Sequence, residues 1–232
     1  MAINIKKQTP NEVDVMLNKS EAFVIKYKKF LIAIVLGLVS GVLGFLLYSN
    51  FSESAQDEAS TALAAGQEYF MAQDYETALK GDKKGYKGFL YVADEYSSTK
   101  AGNLANLYAG LCYANQEKWE DAVKYLEDFS TKGDAMVSPA ALFALGNAYA
   151  NTKQLDKAVE TMKKAASKAD AEIEGGANNS LSPTFLLRAA DILISQNKND
   201  AALAIYQDIK KKYVQSTAAQ EIDKYIESVS QK

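Results

Sequence analysis

The sequence predicts an all-α chain in which a single apolar helix near the N-terminus precedes an α-solenoid of about four helix pairs and a C-terminal capping helix. Three observations predict it. Residues 30–48, FLIAIVLGLVSGVLGFLLY, carry no charged side chain. Beyond residue 55, small and aromatic residues recur at fixed offsets, the mark of stacked repeats. The chain holds only three prolines, too few for the frequent turns of a β-sandwich. The predicted division is a cytoplasmic tail over 1–29, a transmembrane helix over 30–48 and an extracytoplasmic domain over 49–232.

In the tail, Val13, Met16, Leu17, Val24 and Tyr27 keep an apolar face at helical spacing after Thr9-Pro10. Two readings fit: a short amphipathic helix at the membrane surface, or a loosely ordered tail. The apolar run that follows would rise roughly 28 Å as a helix, close to the hydrocarbon thickness of a bilayer. A cleaved signal peptide has an apolar region of about 7–15 residues behind a short basic start. This run is longer and begins only at Phe30, so a retained anchor is expected. Lys19, Lys26, Lys28 and Lys29 precede the run, whereas the next cation after it is Lys80. The excess of lysine before the span places the N-terminus in the cytoplasm and the remainder outside. Along the span Ala33, Gly37, Gly41 and Gly44 share one face, with Ser40 beside the Gly37–Gly41 pair. Such a face admits a second membrane helix at close range; glycine is also common in membrane helices, and the same spacing arises by chance.

The repeats define the rest. Leu145-Gly146-Asn147-Ala148-Tyr149 is followed by Ala158, Met162 and Ala165. Gly110, Tyr113, Ala122, Leu126 and Phe129 repeat that logic, Gly66, Tyr69 and Ala78 begin it earlier, and Ala190, Leu193, Ala202, Tyr206 and Ile209 continue it. The small residue on a first helix lets the alanine of the second approach, and the aromatic fills the remaining wedge. Each pair leaves an apolar side that only the next pair can bury. The alanines 78, 122, 158 and 202 are spaced by 44, 36 and 44, which predicts two insertions, at Gly81–Gly88 and near Glu174–Ser180. Both read as loops. Ser138-Pro139 and Ser182-Pro183 each offer an N-cap hydroxyl ahead of a proline suited to a first turn. Ile222, Tyr225, Ile226 and Val229 form the stripe of a final, capping helix.

On these residues the chain resembles the tetratricopeptide repeat family over roughly residues 55–215, most closely at LGNAY and Trp119-Glu120-Asp121-Ala122. The family period is about 34 residues, from which the two insertions depart. Tail, anchor and repeat domain together resemble the membrane-anchored YfgM-like family, and the stretches GFLYVADEY and STKAGNLANLYAG resemble its members from Bacteroidetes. That resemblance implies a bacterial inner-membrane protein whose repeat domain is periplasmic. It further implies an accessory of the Sec translocon or of a membrane-anchored periplasmic chaperone. The repeat family implies a binding groove lined by the first helix of each pair, here Gln67, Leu111, Asn147 and Asp191, and one turn further Met71, Asn115, Asn151 and Ser195. This set shows no Lys or Arg, which argues against a clamp for a terminal carboxylate. A merely solvated inner face is the competing reading.

Composition removes most chemistry. The absence of histidine excludes imidazole catalysis and imidazole metal ligation. The one cysteine, Cys112, sits in an apolar helical stretch and reads as a buried small residue. A net charge of −3 with no basic stripe argues against nucleic acid. Carboxylates such as Glu120, Asp121, Glu127 and Asp128 read as a solvated face, and the Gly81–Gly88 stretch lacks the phosphate-loop pattern. The expectation is a non-enzymatic scaffold without metal, cofactor, small-molecule substrate or catalytic residues. A scaffold subunit of another cell-envelope assembly machine is the second reading.

Overall fold

The computed structural model describes Tyr27, Gly37, Leu38, residues 40–43 and residues 53–230. The chain divides into two units, Met1–Ser54 and Ala55–Lys232. In the first, the anchor expected over 30–48 lies largely outside the described residues, as do Ala33 and Gly44. Gly37, Leu38, Ser40, Gly41, Val42 and Leu43 are helical and exposed. Among the described residues no helix is long and apolar enough to cross a membrane.

The second unit is a stack of helix pairs. Helix α1 covers residues 53–71. Its partner helix is split into α2 (Tyr75–Lys80) and α3 (Phe89–Glu95) by the glycine loop. Three regular pairs follow: α4 (Lys100–Asn115) with α5 (Trp119–Asp128), α6 (Val137–Asn151) with α7 (Leu155–Ala171), and α8 (Ser182–Ser195) with α9 (Asn199–Lys212). Helix α10 (Thr217–Ser230) closes the array. From α2 onward the extensive packing is between helices adjacent or next-but-one in sequence, as expected when each pair covers the apolar side of the one before it.

The repeat alanines hold the predicted places: Ala78, Ala122, Ala158 and Ala202 are all fully buried. At the glycines of the first helices a large residue stands at the crossing too, beside the Ala158 carbonyl 3.3 Å from the Gly146 Cβ position in the α6–α7 pair. A Cβ on Gly146 would lie 2.7 Å from Met162 Cγ, and one on Gly110 would lie 2.5 Å from Leu126 Cγ. The large residue one turn after the alanine therefore fills the crossing, because side chains four apart share a helix face. In the first pair that position falls in the insertion. The loop supplies the filling instead: a Cβ on Gly66 would collide with Tyr86 and Phe89.

Every pair turns in the same way. Gln73, Glu117, Lys153 and Asn197 adopt left-handed backbone with φ of 59–63°, at the 44, 36 and 44 spacing of the alanines. Around Glu117, for example, Glu117 N–H donates to Ala114 and Lys118 N–H to Tyr113 at 3.1 and 2.9 Å, satisfying carbonyls that a helix end otherwise leaves open.

Neither Ser-Pro hydroxyl caps its helix. Helix α6 begins at Val137, and the Asp134 carboxylate accepts from the Met136 and Ser138 N–H groups at 3.1 and 2.9 Å. Ahead of α8, Asn178 Oδ1 accepts from the Ser180 and Leu181 N–H groups. Ser138 and Ser182 are buried, and their hydroxyls donate to Asp134 and to Asp170 and the Ala166 carbonyl. A carboxylate or amide set back from the helix reaches two N–H groups at once, which leaves Ser182 to bond α7 and Ser138 to bond the loop before α6.

Candidate protein-binding surface

Two of the predicted face residues, Gln67 and Asn147, bond to a first helix of the next pair. Gln67 Nε2 on α1 donates to the Tyr108 hydroxyl on α4 at 2.9 Å. Arg188 Nε on α8 donates to Asn147 Oδ1 on α6 at 3.4 Å. Both links join residues 41 apart, so the repeat register carries over into side-chain contacts. Leu111 is half-buried against the larger apolar core, and Asp191 is exposed.

Arg188 corrects the expectation that this face lacks a cation. Arg188 and Asp191 stand at positions i and i+3 of α8, so the two share a helix stripe. Counting only the positions after each small residue passes over the one three residues earlier, where Tyr108 and Arg188 stand. Desolvation pushes the Asp191 carboxyl above its usual range while Arg188 pulls the other way. The residue stays exposed, so water moderates both effects.

The second row lies at the ends of the same helices. Asn115 Nδ2 donates to the Leu111 carbonyl at 2.8 Å and Asn151 Nδ2 to the Asn147 carbonyl at 2.9 Å. The Ser195 hydroxyl donates to Ile192 at 2.6 Å. These polar side chains satisfy last-turn carbonyls, which accounts for their type at this position. Met71, at the end of α1, is 75% exposed.

Of the anchor face, Gly37, Ser40 and Gly41 are described, and all three are exposed. A Cβ on Gly37 or Gly41 would meet no atom within 4 Å. Cys112 is fully buried, and burial pushes its thiol up to about 12. At neutral pH it is a protonated packing group with no thiolate to offer.

Sequence reasoning missed the polar joint between the last two pairs. Asp170 accepts from the Asn178 N–H, the Ser182 and Tyr213 hydroxyls and the Lys212 ammonium, all at 2.6–2.8 Å. Burial alone would raise its carboxyl pKa; Lys212, Ser182, Tyr213 and the Asn178 N–H more than offset that and lower it. Asp170 is 6% exposed, and its fully engaged oxygens make it a lock between α7, α8 and α9. A small apolar-to-polar step in α7, SKADAE, was its one trace in the sequence.

A search of curated proteins finds no match. The model of the family described as Tetratricopeptide repeat-like domain matches residues 21–222, taking in all four helix pairs and the apolar run before them. The chain belongs to that family.

Proposed function

We propose that this protein is a non-enzymatic, membrane-anchored scaffold for protein–protein interaction, an accessory of the Sec translocon or of a periplasmic chaperone complex. The observation that carries the scaffold reading is the stack of helix pairs, whose first helices are linked by Gln67–Tyr108 between α1 and α4 and by Asn147–Arg188 between α6 and α8. Partner binding needs such a rigid array of side chains and no reactive centre. The apolar run 30–48 supports a single-pass anchor, and the lysines ahead of it support a cytoplasmic N-terminus with the repeats on the periplasmic side. The family match supports treating the run and the repeats as parts of one architecture.

Affinity purification of the full chain from crosslinked intact membranes tests the partner. Recovery of translocase or chaperone subunits is the expected result. Recovery of a different envelope assembly complex would favour the second reading, and recovery of neither would sink the translocon assignment. Topology is tested separately by placing a cysteine at exposed Lys132 in a Cys112→Ala background. Labelling by a membrane-impermeant maleimide in spheroplasts is expected; labelling only after lysis would reverse the orientation.

A further inference from the structure

Between α1 and the glycine loop lies a cleft of about 540 Å³, apart from the first-helix row. Asp57, Glu58, Tyr86, Lys87, Tyr91 and Tyr96 line it, together with two alanines of α1. Tyr91 and Tyr96 meet edge to face, with ring centroids 6.2 Å apart. The Tyr96 hydroxyl donates to Glu58 at 3.0 Å. Among the described residues the Asp57 carboxylate has no hydrogen-bond or ion-pair partner. One cation already sits here: Lys87 Nζ stands 4.2 Å from the Tyr91 ring centroid and donates to its hydroxyl at 2.9 Å.

These groups suit one kind of occupant. Ring faces attract a cation through their quadrupole. Alanine methyls and ring edges suit the methylene stem of a long basic side chain. Two carboxylates disfavour any anion. Lys87 shows that an ammonium fits over Tyr91, yet it comes from an exposed loop position beside Gly88 and, among the described residues, feels Glu95 without forming a carboxylate ion pair. It can therefore yield its place at small cost.

We propose that this cleft receives a lysine or arginine side chain of a partner polypeptide, with Lys87 as the resident stand-in that an incoming side chain displaces. The proposal rests on the protein-binding reading above but places the contact on the α1–α3 side of the stack.

The test uses the full chain in maltoside micelles with 13C-labelled tyrosine rings. The probes are the peptides acetyl-Leu-Lys-Leu-amide and acetyl-Leu-norleucine-Leu-amide, and free glycerophosphoethanolamine. The lysine peptide is expected to shift the Tyr91 and Tyr96 ring signals, binding about tenfold more tightly than the norleucine peptide. Asp57→Asn with Glu58→Gln should weaken it about fivefold, and Lys87→Met should strengthen it about threefold. Unmoved Tyr108 and Tyr206 signals confirm that each variant is folded. Equal response to the two peptides, or shifts confined to Tyr108, would overturn the proposal. So would loss of binding in Lys87→Met, or a response to glycerophosphoethanolamine alone, which marks a lipid-headgroup site. Failure here with partner recovery from membranes intact would remove the cleft and leave the scaffold reading standing.

Discussion

Two glycines at equivalent crossings are not equally replaceable, because their neighbours differ in branching. At Gly110 a new Cβ meets the Leu126 branch carbon at 2.5 Å and the Leu126 backbone nitrogen at 3.2 Å. At Gly146 it meets the unbranched Met162 stem at 2.7 Å and the Ala158 carbonyl oxygen at 3.3 Å, and methionine adapts its rotamers more readily than leucine. Alanine recovers about 1 kcal/mol of helix preference at either site, while overpacking a closed crossing costs about 1–3 kcal/mol. Gly110→Ala is therefore expected to lower Tm more than Gly146→Ala, measured by thermal unfolding of the full chain in detergent. Asp170 gives the second residue-scale prediction. Its carboxyl is held below the usual carboxylate range, so its stabilisation is complete above about pH 5 and is lost as pH falls through about 4 and below. Asp170→Asn leaves the Lys212 ammonium and a hydroxyl short of an anionic acceptor, at a cost of about 2–3 kcal/mol at neutral pH. The variant's Tm should then change less than the parent's between about pH 6 and 3.5. An equal pH response in both proteins would mean that Asp170 carries no linked stability.

At the scale of elements, the register of the helix pairs was legible because it is written locally. Buried alanines at 78, 122, 158 and 202, with Gly66, Gly110, Gly146 and Ala190 before them, make the close approaches, and only small residues fit there. The turns were not legible. Gln73, Glu117, Lys153 and Asn197 sit where glycine is the usual signal, and only the carbonyls of the preceding helix dictate their backbone. Of the first-helix contacts, Gln67 and Asn147 were named from the sequence, but their partners Tyr108 and Arg188 depend on the offset between pairs. The Gly81–Gly88 loop was recognised as an insertion, and its role was hidden because it depends on a fold-back. Asp82 accepts from the Lys84 and Tyr86 N–H groups at 2.8 and 3.0 Å and from the Tyr69 hydroxyl, and the Tyr86 hydroxyl donates to the Ala78 carbonyl at 2.7 Å. Gly88 holds φ at 94°, and a Cβ there would strike the Leu79 carbonyl. Gly88→Ala should thus pull Phe89 out of the first core. Amide hydrogen exchange is expected to quicken in α1, α2 and α3 and to stay unchanged in α8, α9 and α10, since pairs are coupled only through their neighbours. Uniform quickening along the chain would contradict that local coupling.

For the whole molecule, the repeats and the apolar run lie in different units, so what each contributes to a complex can be tested separately. Gly37 and Gly41 are helical, exposed and without an atom within 4 Å of an added Cβ. Among the described residues nothing packs on these two poor helix formers. A second membrane helix seated on that face would explain them, since removal of side chains lets two backbones close. Replacing both by leucine keeps the run apolar, so insertion of the full chain into membranes should be unaffected, read by carbonate extraction. Close approach of another helix would be blocked. If that helix contributes to the complex, recovery of the partner from membranes falls several-fold in Gly37→Leu/Gly41→Leu while the thermal unfolding of the repeat unit is unchanged. Undiminished recovery would assign binding to the repeats alone, where the first-helix row and the α1–α3 cleft can then be separated by Arg188→Ala and by Asp57→Asn with Glu58→Gln.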